Sequence, residues 1–323
     1  MTIDEVKEAV SSILNQRIST QLYLILKDDQ TFTMRIADMM EGETTQELQK
    51  IFKDFLVSNL IENDNLVVKN LSTSDESQDT IYQYDYDSYP EELDLFHNFK
   101  IQDAIKSDHF NFQTDSLNQL SGYILYLGTM DNGLILFKKH YPISLIKRSS
   151  FLLGAIKSKE RFEKLPGEDI IRLNGSAQLL RLGDTIFVLD LSMLERSMGF
   201  SALIQKAASE AINAIEDLEI LDDIEVLRET LEEPSFARKL SKIKKSSPIF
   251  TLGITKDDII KFIADTPALK EQFKYNEDHS KIVLTSKKSK RAFLNLMNDS
   301  FLHSKLTKQD YEASAKDNIT IAI

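Results

Sequence analysis

One stretch constrains the fold of this chain more than any other: residues 168–232, EDIIRLNGSAQLLRLGDTIFVLDLSMLERSMGF followed by SALIQKAASEAINAIEDLEILDDIEVLRETLE. Its first half is dense in β-branched and aromatic residues and is broken by Asn174-Gly175 and Gly183-Asp184. Two-residue Asn-Gly and Gly-X loops suit the primed turns that close hairpins, so the spacing predicts three short strands in a meander. The last strand, 185–191, carries Phe187 and Leu189 on one face and Ile186 and Val188 on the other. Apolar residues on both faces predict a strand covered from both sides. Behind Ser201, a residue type suited to an N-cap, Ile204, Ala208, Ala211, Ile215 and Leu218 recur at three- and four-residue spacing. A long amphipathic helix over 201–218 is therefore expected, lying along the sheet as its lid. This block specifies a fold centre and no chemistry.

The 323 residues are enough for two or three domains, and the pattern divides them at 1–118, 119–234 and 235–323. The expected fold is α+β: a central, mostly antiparallel sheet covered by helices, with a smaller, mainly helical C-terminal module. In the first segment, 4–17 reads as a helix with Val6, Val10, Ile13 and Leu14 on one face, followed by a hairpin of 19–26 and 31–35. Thr44 or Thr45 suits the N-cap of a second helix to about Leu60, with Glu47 placed for a capping box with Thr44, and a strand follows at 66–69. A helix over 95–106 and a hairpin of 122–127 with 134–138 lead into the central block. Past it, a basic helix begins near Ser235 with Phe236, Leu240 and Ile243 facing in. Thr255 is placed to cap the next helix, a short hairpin surrounds 276–280, and a helix follows with Phe293, Leu294, Leu296 and Met297 inward.

Composition excludes several function classes. The chain has no cysteine, which removes disulfides, thiolate catalysis and cysteine-ligated zinc or iron–sulfur sites. Its opening, MTIDEVKEAVSSILNQ, is acidic and amphipathic without a basic n-region, so no signal peptide is expected. No apolar run approaches the roughly 18 residues needed to span a bilayer, so membrane contact is expected only through a partner. No phosphate-binding GxxxxGK[ST], no GxGxxG, no HExxH and no GxSxG occurs, and His97, His109, His140, His279 and His303 are scattered without ligand spacing. No catalytic residue, metal ligand or cofactor is expected, and the reading leans away from an enzyme.

Charge is unevenly spread. The net charge is −12, yet residues 236–323 hold 17 Lys+Arg against 10 Asp+Glu, which leaves −19 on the first 235. Residues 72–94 contain eight acids and neither Lys nor Arg, interleaved with Tyr82, Tyr84, Tyr86 and Tyr89. That segment reads as an edge strand with a loop or as an acidic, aromatic docking site for a partner protein. In the basic part, Arg238, Lys239, Lys242, Lys244 and Lys245 form one cluster, and Lys281, Lys287, Lys288, Lys290 and Arg291 a second. If the clusters converge they can neutralise phosphates and release counterions. Being mostly lysine, they suit sequence-indifferent backbone contact with DNA. A pair of separate solvated helix faces is the competing reading.

Several runs carry a resemblance: GLILFKKHYPISLIKRSS, LLRLGDTIFVLDL, MLERSMGF leading into a long helix, FARKLSKI, and FLNLMNDSFLHSKLTKQDYEASAKD. Together, over 133–317, they resemble the KwaB-like proteins, the soluble subunit of the two-gene Kiwa anti-phage system; Leu194 stands where that pattern carries Phe. The resemblance implies a cytoplasmic oligomer recruited to the inner membrane face by a small integral membrane protein, KwaA-like. It also implies that the chain binds incoming DNA and hinders its replication or expression. A metal-dependent nuclease of a defence system, and a protein-only interaction module acting through the acidic surface, remain alternatives.

Overall fold

The computed structural model describes all residues except 30, 40–41, 73–76, 142–144, 147–152, 157–160, 165–169, 305, 308 and 313–323. The chain forms two compact units. One holds Met1–Lys69, Ser77–Tyr84 and Ser88–Leu194; the other holds Asn70–Glu76, Asp85–Asp87 and Glu195–Ile323. The divisions at 118/119 and 234/235 do not coincide with these units, because strands from both sides of residue 118 join one sheet.

In the first unit, α1 (Ile3–Leu14) is closed by a Thr2–Glu5 capping box and buries Val6, Val10, Ile13 and Leu14, the face its spacing predicts. The strands are β1 (Ser19–Asp28), β2 (Thr31–Ile36), β3 (Val67–Asn70), β4 (Thr80–Gln83), β5 (Leu120–Gly128), β6 (Gly133–Lys139), β7 (Leu179–Leu182) and β8 (Thr185–Val188). They form one sheet in the order β2-β1-β5-β6-β7-β8-β4-β3, antiparallel from β2 through β4. Register aligns Leu22, Leu125, Leu136, Leu180 and Phe187 in a row across five strands. That row packs with α1 and with Leu48, Phe52 and Leu56 of α2 (Glu43–Leu56) in a continuous core. On the opposite face, α3 (Glu91–Asn98) and the turn after it set Phe96 against Phe137 and Phe99 against Tyr23, ring centroids 5.9 and 5.1 Å apart. Ile186, Phe187 and Val188 are all buried, the pattern of a strand covered on both faces.

Several sequence expectations are corrected here. Gly183-Asp184 closes the β7–β8 hairpin, with Gly183 at φ 56°. Asn174-Gly175 closes none: β7 pairs with β6, while Ile170–Ile171 pairs with Leu145–Ile146 in a separate ribbon. Gly175 serves a close approach instead, since a Cβ there would lie 2.6 Å from the Ile51 carbonyl oxygen. The tyrosine strand β4 is not an edge; β3 covers it. α2 begins at Glu43 behind Gly42 without a side-chain cap, so Thr44 is not its N-cap, and it runs on into a wider turn at Val57–Ile61. The helix expected over 95–106 is two pieces, α3 and Ile101–Ala104, because Arg181 of β7 reaches into the break. Its guanidinium donates to the carbonyls of Phe96, His97 and Phe99.

The second unit is mainly helical. α4 (Leu191–Ser197) begins in the first unit, where the Asp190 carboxylate accepts the Met193 amide at 2.9 Å. α5 (Phe200–Glu216) buries Phe200, Ile204, Ala208, Ala211, Ile212 and Ile215, but its N-cap is Gly199; the Ser201 hydroxyl donates to Glu195 O instead. It groups with the C-terminal elements, in the second unit. Its close partner is α6 (Pro234–Ser246), which supplies Phe236, Ala237, Leu240 and Ile243. Then follow α7 (Lys256–Asp265), capped by Thr255 and Asp258, and a hairpin of Lys274–Tyr275 with Ile282–Val283. α8 (Lys287–Met297) buries Phe293, Leu294, Leu296 and Met297, as its spacing predicts.

Candidate nucleic-acid interface

Both basic clusters fall in the second unit, on α6 and α8 and, with Lys281, just before the Ile282–Val283 strand. The two helices run side by side in the same direction. At their starts, Lys287 Nζ and Arg291 Cζ lie 5.7 and 5.9 Å from the Phe236 ring centroid. At their ends, the Ser247 hydroxyl donates to Met297 O. Parallel alignment thus brings cations of α8 onto the first turn of α6.

The ten basic residues are not equivalent. Arg238 is 2% exposed and forms an ion pair with Glu195, so it belongs to the interior and not to a phosphate-contacting face. Lys242 is half-buried and its Nζ lies 2.5 Å from the Asp85 carboxylate. Lys287 pairs with Glu233 at 2.5 Å and Lys290 with Glu229 at 3.8 Å. Lys288 and Arg291 are exposed, and Lys239 and Lys281 are half-buried. The side chains of Lys244 and Lys245 lie outside the described residues. The exposed cations are Lys287, Lys288 and Arg291, of which Lys287 and Arg291 meet at Phe236; Lys239, Lys242, Lys281 and Lys290 are half-buried.

The acidic, aromatic segment divides between the units. Tyr82 and Tyr84 are buried in the first, where Tyr84 stacks on Tyr89 at 5.0 Å and Tyr89 on His97 at 4.1 Å. Burial takes Tyr82 and Tyr84 out of any displayed docking face. Asp85 and Tyr86 belong to the second unit and lie against α6. Asp85 accepts from the Ser72 amide at 3.0 Å and the Ser72 hydroxyl at 2.6 Å besides Lys242. The Tyr86 hydroxyl donates to Arg238 O at 3.1 Å, and its ring meets Phe200 edge-on at 5.4 Å. Burial pushes that hydroxyl above the usual phenol range, which keeps it a donor. The segment read as a partner's docking site therefore contacts the chain's own basic helix. Residues missed from sequence are the carboxylates of this network: Asp85, Glu195, Glu229 and Glu233. The alternation of acid and tyrosine at 82–87 was a signal for Asp85 alone.

Elsewhere, an apolar groove of about 240 Å³ opens between Ile249, Leu252, Phe262 and Phe301. A more polar cleft of about 740 Å³ lies by Thr20, Asp38, Gln49 and His109 in the first unit. Beneath the sheet, Glu92 takes hydrogen bonds from Ser121 at 2.7 Å and from Lys139, a satisfied buried pair. Among the described residues, no group of three His, Asp or Glu is placed to hold a metal ion, and no helix is long and apolar enough to cross a membrane.

The family model described as "Kiwa protein KwaB-like" matches residues 117–307. The chain is 28% identical to the Kiwa protein KwaB of Escherichia coli O55:H7 (strain RM12579 / EPEC), over 99% of each chain. No solved structure matches significantly.

Proposed function

Because this chain belongs to the Kiwa protein KwaB-like family, we propose that it acts in the Kiwa anti-phage defence system as a non-catalytic, DNA-binding subunit. A small KwaA-like membrane protein recruits it, and its hold on incoming DNA hinders replication or expression. The defence role rests on family membership and on near full-length similarity to a Kiwa KwaB. The observation that carries the DNA reading is the meeting of cations from α8 with the first turn of α6 at Phe236. Lysine-rich faces of this kind contact phosphates without reading bases.

The test is anisotropy of labelled duplexes of unrelated sequence across salt. Binding is expected to be indifferent to sequence and to weaken with a slope of about −0.9 per neutralised phosphate in log K against log[salt]. Reversal of Lys287, Lys288 and Arg291 to Glu lowers affinity for every duplex and flattens the slope. An unchanged slope in that variant overturns the site. Duplex affinity absent at every salt concentration favours a protein-only module. Cleavage of plasmid DNA by the purified chain with Mg²⁺ or Mn²⁺ favours the nuclease alternative.

A further inference from the structure

Three lysines of the proposed DNA surface already hold carboxylates. Lys242 meets Asp85 at 2.5 Å, Lys287 meets Glu233 at 2.5 Å, and Lys290 meets Glu229 at 3.8 Å. Asp85 is fixed independently of its lysine by two hydrogen bonds from Ser72. Glu233 is the residue from which α6 starts, and Glu229 lies in the short turn Glu229–Glu232 before it. These acids are therefore anchored at the edge of the basic face by backbone that the fold holds in place. A phosphate arriving at any of the three lysines meets a carboxylate in the position it would occupy.

We propose that Asp85, Glu229 and Glu233 form an internal acidic mask over the DNA-contacting lysines. The inference rests on the DNA reading above and adds its regulation. A single phosphate cannot profitably displace a tethered carboxylate, whose local concentration is that of an intramolecular partner. Duplex DNA carries one charge per about 1.7 Å of axis and meets all three lysines at once. The mask thus discriminates an extended polyanion from free nucleotides and inorganic phosphate, and it sets the affinity threshold for DNA.

The experiment compares the full chain with three variants, using a fluorescein-labelled random-sequence duplex at several NaCl concentrations. In the first, Asp85→Asn, Glu229→Gln and Glu233→Gln are combined. It is expected to bind about tenfold more tightly, with a slope steeper by about 0.9 for each freed lysine. The second, Tyr86→Phe, removes the hydrogen bond to Arg238 O without changing charge and is expected to bind as the parent does. The third neutralises three exposed acids of the first unit, Glu8→Gln, Asp54→Asn and Asp64→Asn, and is expected to stay within about twofold of the parent, because the carboxylates paired with these lysines are Asp85, Glu229 and Glu233 and exposed charges are screened by salt. Parental affinity and slope in a folded triple mask variant overturn the mask and leave the DNA reading standing; equal tightening in the charge control also overturns it. Should the triple variant not fold, Glu229→Gln alone serves, since that side chain is 74% exposed; it is expected to tighten binding about twofold, and no tightening overturns the mask. Silence of the parent and all variants toward the duplex refutes the DNA reading and the mask with it.

Discussion

Replacing Arg238 tests whether this cation belongs to the interior or to the DNA surface. Its side chain is 2% exposed and that of Glu195 is 13% exposed. Breaking a buried ion pair by removing one partner costs about 3–5 kcal/mol, because the survivor is left uncompensated. Arg238→Met keeps the apolar stem and leaves a carboxylate with some solvent access, so its cost falls at about 2–3 kcal/mol. Glu195→Gln removes the charge paired with the buried guanidinium and is expected to cost about 3–4 kcal/mol, a melting shift of roughly 6–16 °C at 2–4 °C per kcal/mol. Arg238→Met with Glu195→Leu removes both charges and should lie within about 2 kcal/mol of the parent, giving a coupling of at least 2 kcal/mol across the cycle. Urea unfolding followed by circular dichroism measures stability, and duplex anisotropy on the folded variants measures binding. A loss below about 1 kcal/mol in Glu195→Gln, together with weakened binding and a flattened salt slope in Arg238→Met, would refute the interior assignment.

Two further outcomes follow from the first unit. Arg181→Met leaves the carbonyls of Phe96, His97 and Phe99 without their donor; the expected loss is about 3–4 kcal/mol in urea, with Arg181→Lys recovering part of it, and a loss under about 1 kcal/mol contradicts the role. Alkaline pH should destabilise the fold through its buried tyrosines: burial pushes Tyr23 from 10.0 up to about 12, and Tyr123 is raised by the same cause. Between those values the unfolded state has released the proton that the folded state keeps, so the stabilisation is whole below pH 10 and lost as pH rises toward 12. For Tyr23 this amounts to about 2–3 kcal/mol, and urea midpoints at pH 9 to 12 should fall less steeply in Tyr23→Phe; identical slopes argue against it.

Much of the local architecture was legible. The stripe of α1, the Gly183-Asp184 turn, the twice-buried strand β8 and the Thr255 cap all follow from residues a few positions apart. These signals survive because helix and strand periods are short, and the residues that define them are neighbours in the chain. The stripe of α5 was equally plain, but its partner was not. An apolar stripe states that something covers it without saying which element does.

By itself, then, the sequence determined most of the helices and strands, the faces that the clearest of them bury, and that positive charge gathers in the last quarter. Only the tertiary structure decided where β4 joins the sheet, that Arg238 turns inward to Glu195, and that Asp85 meets Lys242 from 157 residues away. The reason is electrostatic and topological. A lysine reads the same in sequence whether it faces water, phosphate or a carboxylate, and the choice is made by elements brought together only when the whole unit has packed.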